Sequence, residues 1–129
     1  MDMDAHARTV REFWQIFNEA RFDEVVKLLH PDCQVYWPNT RESFKGPDKL
    51  VDVNKRYPGR WNIEVVDIIS TDKIVVSVVR VYSKDKTQSF YATSFFKFKD
   101  GMINEITEYW GENTEPPAWR ITAGLSERY

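Results

Sequence analysis

Residues 90–111, FYATSFFKFKDGMINEITEYWG, decide the fold that this sequence predicts. Two runs rich in aromatic and β-branched residues meet at Asp100-Gly101, a pair typical of the type I′ turn of a β-hairpin. If Lys99 lies opposite Met102, the alternation of side chains places Glu108 on a largely apolar face. The other face is apolar as well, so both faces need a cover. We therefore predict a hairpin within a sheet that helices cover on one side and a second subunit on the other.

The register of this hairpin predicts which side chains share the face of Glu108. The predicted pairs are Phe95–Ile106, Thr93–Glu108 and Tyr91–Trp110. With even-length turns, the same reasoning places Arg80 opposite Tyr91, on the face of Glu108. The face then extends to a bowl that also includes Trp61, Ile63, Val65, Asp67, Ile74, Val76, Val78 and Tyr82. The outward face carries Val75, Val79, Val81, Phe90, Phe96, Phe98 and Tyr109.

The first half of the chain predicts mainly helices. Apolar residues at three- and four-residue steps indicate an amphipathic helix over residues 4–20, and a shorter helix follows over 22–29. Residues 33–37 alternate as a strand does, and Gly46-Pro47-Asp48 opens a helix of about ten residues. The strands 61–69 and 74–82 precede the hairpin. The predicted order is helix, helix, strand, helix and four antiparallel strands.

Length and composition favour a single domain over residues 1–129, with its core at about 4–120 and a tail at 112–129. The net charge of -2 shows no basic stripe for nucleic acid or an anionic membrane. Cys33 is the only cysteine, which favours a reducing compartment, and with only His6 and His30 as imidazoles we expect no zinc site. No apolar run reaches membrane-spanning length. We expect a cytoplasmic protein that needs no cofactor.

Four segments together resemble a known family. FDEVVKLLHPDCQVYWP, KGPDKL, DGMINEI and EITEYWG are similar to the SnoaL-like members of the nuclear-transport-factor-2-like (NTF2-like) superfamily. The resemblance spans residues 4–120 through the order and spacing of these segments. It implies an α+β cone, in which a strongly curved, mostly antiparallel sheet wraps around three helices from the N-terminal half. It also implies an internal pocket and a homodimer through the outer sheet face.

The superfamily includes isomerases, dehydratases, cyclases and epoxide hydrolases, so the fold alone does not give the function. Glu108 occupies a place similar to the late acidic residue of the polyketide cyclases. The Arg-x-Asp of the epoxide hydrolases corresponds to Arg80-Val81-Tyr82, which lacks the second acid. The helix tyrosine of ketosteroid isomerases and the strand histidines of scytalone dehydratases have no counterpart here.

Two residues are the candidates for catalysis. A carboxyl among apolar groups should have a raised pKa, as a general acid or base working near neutrality requires, and this predicts a catalytic Glu108. Arg80 could stabilise developing negative charge on a substrate. The alternative is a structural ion pair between Arg80 and Glu108, which would lower the pKa of the acid.

Aromatic side chains predict the ligand-binding wall. These candidates are Trp14, Phe17, Trp37, Tyr57, Trp61, Tyr82, Tyr91 and Trp110, with Thr93 beside them. The alternative for each ring is plain core packing. Cys33 is expected to be a small core residue, and Trp119 in the tail a plug over the mouth of the cone.

The leading functional hypothesis is a cofactor-independent isomerase, lyase or cyclase acting on a small apolar or aromatic metabolite. A ligand-binding or dimerisation module without catalysis is the alternative. A third hypothesis is a partner-binding protein resembling the transport factors, which should expose an apolar patch.

Overall fold

The computed structural model describes residues 3–129, with side chains described from residue 5 onward. The helices are α1 (Met3–Asn18), α2 (Pro47–Arg56), α3 (Ala118–Thr122) and a 3₁₀ helix at Phe22–Leu28. The strands are β1 (Leu29–Trp37), β2 (Glu42–Lys45), β3 (Trp61–Ser70), β4 (Ile74–Ser83), β5 (Ser89–Lys99) and β6 (Met102–Glu112). None of the helices in this part of the chain combines the length and apolarity needed to cross a bilayer.

The strands form one six-stranded sheet in the order β2-β1-β6-β5-β4-β3. Strands β1 and β6 run parallel, and every other neighbouring pair is antiparallel. Helix α1 packs mainly against β3, and α2 packs near β1 and β2. The predicted α+β architecture, a curved sheet around helices, is confirmed.

The first half of the chain differs in detail from the prediction. The second helix is a 3₁₀ helix, a form common in short connectors, and hydrophobic periodicity does not distinguish it from a short α-helix. Strand β2 was not predicted, because only Phe44 of its four residues contacts the core. Helix α2 begins as predicted, with Pro47 in its first turn after Gly46 at a φ of 87°.

The predicted turn at Asp100-Gly101 is confirmed. Both residues have positive φ, 54° and 76°, as a type I′ turn requires. Lys99 lies opposite Met102, and Arg80 lies opposite Tyr91 on the neighbouring strand pair, both as predicted. The turn chemistry of the sequence therefore fixed the start of the register.

A β-bulge in β6 changes the register beyond the turn. Phe98 lies opposite Ile103 and Lys97 opposite Glu105, so Asn104 is an additional residue on β6. The predicted pairs of the hairpin are therefore wrong by one residue: the observed pairs are Phe96–Ile106, Ser94–Glu108 and Ala92–Trp110. Because side chains alternate, this shift puts Arg80, Tyr82, Tyr91 and Thr93 on the face opposite Glu108.

A second bulge lies in β3. Val65 lies opposite Val79 and Asp67 opposite Val78, which leaves Val66 as the additional residue. Trp61 and its neighbours Ile63 and Val65 pack against the core, on the helix side. Asp67 is exposed on the other face, so the prediction that it shares the face of Glu108 is wrong.

The core lies between the helices and the sheet. Phe13 of α1 makes edge-to-face contacts with Trp14, Phe17 and Phe96 at centroid distances of 4.9, 4.6 and 5.3 Å. Most of the residues predicted to face outward belong to this side: Val75, Val79, Val81 and Phe96 are buried, Phe90 and Phe98 pack against the core, and only Tyr109 is on the outer face.

We use "outer face" for the side of β3–β6 that the helices do not cover. Its apolar and aromatic members are Val66, Ile69, Val76, Val78, Tyr82, Tyr91, Phe95 and Tyr109. Tyr91 and Tyr109 are 46% and 49% exposed. The sheet thus has an uncovered apolar side, although apart from Tyr109 its residues are not those that the sequence predicts.

Candidate functional site

Glu108 lies on the helix side of β6, between Ile106 and Trp110 on the same face. Its Oε1 accepts a 2.9 Å hydrogen bond from Trp37 Nε1, and its Oε2 accepts a 2.8 Å bond from the Ser94 hydroxyl. Ser94 is directly opposite on β5, and Trp37 comes from β1, which runs beside β6. The strand order therefore brings together residues far apart in sequence.

The environment of this carboxyl group favours its neutral form. Burial is the main effect and raises the pKa of Glu108, while the bonds from Ser94 and Trp37 act in the opposite direction. Both donors are neutral side chains. The residue as a whole is half-buried.

Aromatic rings line the end of the sheet next to Glu108. Tyr57 contacts Trp61, Trp61 contacts Phe90, and Phe90 contacts Trp110, at centroid distances of 5.9, 5.9 and 6.3 Å. We call these four rings the aromatic arc. Because Trp110 is two residues beyond Glu108 on the same face, the arc lies next to the carboxyl group. Flat apolar rings beside a single acid suit a small cyclic ligand.

A row of polar groups crosses the otherwise apolar helix side. Ser77 lies opposite Ser94, and Ser94 lies opposite Glu108. Both serines are fully buried. Trp14 Nε1 donates a 3.0 Å hydrogen bond to the Ser77 hydroxyl. Buried polar groups are stable only when paired, so this row fixes the side chains around the acid.

The structure brings some of the predicted site residues together and separates others. Trp14, Phe17, Trp37, Trp61 and Trp110 lie on the helix side, and Tyr57 joins them at the edge through its contact with Trp61. Ser94, Ser77 and Phe90 were not predicted as site residues. They share the face of Glu108 only because Asn104 is an additional residue in β6. No local sequence pattern marks that bulge, so the sequence could not identify them.

Arg80 is not near Glu108 in the way that the sequence predicts. It lies on the outer face, with its guanidinium carbon 4.5 Å from the centre of the Tyr82 ring. The prediction that Arg80 shares the face of Glu108, and with it the alternative of a structural ion pair, is therefore wrong. Tyr82, Tyr91 and Thr93 share the face of Arg80, so they do not line a wall around Glu108.

Two surface depressions of the described residues lie away from Glu108. One, of about 290 Å³, lies between α1 and β3 and includes Trp14, Asn18 and Ile63. The other is formed by the C-terminal segment. A cavity that reaches Glu108 therefore remains a prediction.

Cys33 is 1% exposed and is a core residue, as predicted. Burial, with a smaller contribution from Glu105, raises the pKa of its thiol to about 11. Among the described residues, no three His, Cys, Asp or Glu side chains converge as a metal site.

The sequence profile of the family described as SnoaL-like domain matches residues 10–106, most of the chain. The chain belongs to the SnoaL-like domain family. Among curated proteins, none matches this SnoaL-like domain.

Solved structures resemble this SnoaL-like domain over nearly its whole length. A proposed ketosteroid isomerase from Kribbella flavida is 25% identical, with a TM-score of 0.85, 99% of this chain covered and 92% of that one. An NTF-2 like protein of unknown function from Burkholderia xenovorans is 19% identical, with a TM-score of 0.81 and 98% and 96% covered. An LEH-like epoxide hydrolase from M. tuberculosis is 16% identical, with a TM-score of 0.71 and 95% and 90% covered. The B. xenovorans and M. tuberculosis structures, at 19% and 16% identity, show that the fold is shared.

Proposed function

We propose that this SnoaL-like domain binds a small apolar or aromatic metabolite and transfers a proton through Glu108. The observation that carries the proposal is the Glu108 carboxyl group beside the aromatic arc, which accepts hydrogen bonds only from neutral donors and whose pKa is raised by burial. A carboxyl group with a raised pKa is a suitable general acid or base near neutral pH. No cofactor enters the proposal.

The reaction would proceed by movement of one proton. Ionised Glu108 would accept a proton from a carbon acid or hydroxyl of the ligand, and the neutral carboxyl group would then return it at another position or to a leaving oxygen. Trp37 and Ser94 would hold the carboxylate in orientation through both steps. Isomerase, lyase and cyclase reactions all fit this scheme. The isomerase name of the K. flavida structure supports the first of them.

Arg80 has no part in this mechanism because it lies on the outer face. Stabilisation of negative charge on the ligand would therefore depend on neutral groups of the helix side. This restricts the proposal to substrates whose intermediates carry little localised charge.

A non-catalytic binding module is the second candidate. The observation that favours it is that both oxygens of Glu108 already accept hydrogen bonds from the protein. In that case the acid would only complete a polar row inside a ligand pocket. A ligand would bind, and no bond would change.

We also propose that the chain acts as one domain that forms a homodimer through the outer face, and that it resides in the cytoplasm. The uncovered apolar side of β3–β6 supports the dimer. The single buried thiol fits a reducing compartment.

A metabolite screen tests the proposed function. Thermal shift of the wild-type protein with small cyclic ketones, enones and phenols would identify ligands, and NMR of each mixture would detect turnover. Glu108→Gln should retain binding and lose turnover, because the amide keeps the shape but exchanges no proton. Glu112→Gln, an exposed change on the same strand, is the matched control and should behave as the wild type. Turnover that survives in Glu108→Gln would reject the catalytic role and leave the binding module.

A further inference from the structure

The C-terminal segment, residues 113–129, which we call the arm, does not bury its own apolar side chains. Trp119 is 63% exposed, Leu125 69% and Ile121 42%. The predicted plug is therefore not formed within one chain, since Trp119 is largely exposed and its ring contacts the neighbouring Arg120 guanidinium at 5.7 Å. Large exposed apolar side chains in one short segment are typical of an interaction surface.

The arm nevertheless has a defined conformation. Asn113 fixes its start, with a 2.9 Å bond from its backbone N–H to the Ser89 carbonyl and another from its side-chain amide to the Ser89 hydroxyl. The Leu125 N–H closes α3 on the Arg120 carbonyl at 3.1 Å. Arg128 pairs with Glu115, which joins the two ends of the arm.

A helix of five residues is too short to be stable by itself in water. Its order therefore requires packing of its apolar side chains against another surface. Within one chain that packing is missing at Trp119 and Leu125, the most exposed apolar side chains within the arm apart from the terminal Tyr129. A second molecule would supply the missing cover.

The same chain carries a surface of matching character. The outer face presents Val76, Val78, Phe95 and Tyr109 side by side on β4–β6, without a helix over them. The arm begins where β6 ends, at the edge of this face. Resting on the homodimer of the proposed function, we infer that the arm of each copy packs on the outer face of the other copy.

The charges of the arm argue against a membrane or a nucleic acid as its partner. Glu115 and Glu127 balance Arg120 and Arg128, so the arm carries no net attraction to an anionic membrane or nucleic acid. In a symmetric dimer each arm contact occurs twice. A buried Trp contributes roughly 150–250 Å², so the two arms add substantially to an interface that typically needs about 800 Å² from each partner.

Isotope-filtered NMR on the full-length protein tests the arm. Labelled and unlabelled copies are mixed and allowed to exchange, and contacts between different copies are recorded selectively. We expect contacts from the Trp119 ring and Leu125 methyl groups to the methyl groups of Val76 and Val78 of the partner. Sedimentation of the same sample reports the oligomeric state.

The possible results distinguish the arm inference from the proposed dimer. A dimer without these contacts between copies, or with arm contacts inside one copy only, overturns the arm inference and leaves the proposed dimer standing. A monomer at micromolar concentration overturns both.

A full-length variant gives a second readout. Trp119→Ser with Leu125→Ser should weaken the dimer by at least about tenfold in Kd. Val26→Ser, which changes a 41% exposed residue of the 3₁₀ helix, is the control and should leave the dimer unchanged. Equal dimer affinity in the arm variant and the control also overturns the inference.

Discussion

Ser94 lies directly opposite Glu108, and its hydroxyl donates a 2.8 Å hydrogen bond to Oε2 of the acid. This pair joins the two strands of the β5–β6 hairpin at a carboxyl group whose pKa is raised mainly by burial. Because the serine is fully buried, it has no water to replace this bond. Ser94 therefore affects both the stability of the fold and the proton affinity of Glu108.

Removing the Ser94 hydroxyl should raise the pKa of Glu108 further, since one bond that favours the ionised form is lost. If the protein turns over a ligand, the pH at which Glu108 becomes ionised and active as a base should rise in Ser94→Ala. The free energy of unfolding should fall by roughly 1–3 kcal/mol. Ser77→Ala is the matched control, because Ser77 is equally buried but bonds to Trp14. It should lose similar stability without a shift in the pH profile. Equal shifts in both variants would contradict a specific effect of Ser94.

The pH dependence of stability follows from the direction of the pKa shift. An acid whose pKa is raised in the folded state binds its proton more tightly there than in the unfolded chain. Its contribution is complete below the ordinary value of 4.5 and is lost as the pH rises through the raised pKa. Urea denaturation would measure the free energy of unfolding of the wild type and of Glu108→Gln. The difference between them should decrease for the wild type as the pH rises from 4.5 through the raised pKa of Glu108. Glu112→Gln should follow the wild type, whereas a constant difference for Glu108→Gln would contradict the shift.

The hairpin shows how far the sequence predicts this fold. Asp100-Gly101 fixed the turn and the pair Lys99–Met102, and alternation then gave the correct spacing along each strand. The prediction of which β4 and β5 side chains share the face of Glu108 was wrong, because Asn104 is an additional residue in β6. A bulge is stabilised by contacts with neighbouring strands, so local propensity does not reveal it. One unpaired residue was enough to move Arg80 from the face of Glu108 to the other side.

The acid itself was predicted correctly as a buried group, because Ile106, Glu108 and Trp110 share a face whatever lies across from them. Its donors were not predicted. Trp37 reaches Glu108 because β1 lies beside β6, a relationship set by the order of strands. Ser94 lies opposite Glu108 only because of the bulge at Asn104. Local patterns thus identified the candidate, and tertiary structure supplied its partners.

Arg80 and Glu108 should be energetically independent, since they lie on opposite faces of the sheet. We expect the effects of Arg80→Met and Glu108→Gln on the free energy of unfolding to add within about 0.5 kcal/mol in the double variant. Thermal or urea denaturation of the four proteins gives the result. Coupling well beyond this value would indicate an ion pair that the register excludes.

The thiol of Cys33 should be unreactive in the folded protein. Burial raises its pKa to about 11, so very little thiolate is present near neutral pH, and the side chain is 1% exposed. At about pH 8, an aromatic disulfide reagent should modify the protein only after unfolding in urea. The urea-unfolded sample is the positive control. Rapid modification of the native protein would show that Cys33 is accessible and that the core around it opens readily.

The most direct test of Glu108 as a proton-transfer group is its own titration. Carbon-13 NMR of glutamate side-chain carboxyl carbons, with the signal assigned by its absence from Glu108→Gln, would follow this group as the pH changes. We predict a midpoint above the ordinary value of 4.5, because burial outweighs the bonds from Ser94 and Trp37. A midpoint at or below 4.5 would contradict the account, since a carboxyl group fully ionised at low pH is a poor acid–base catalyst near neutrality.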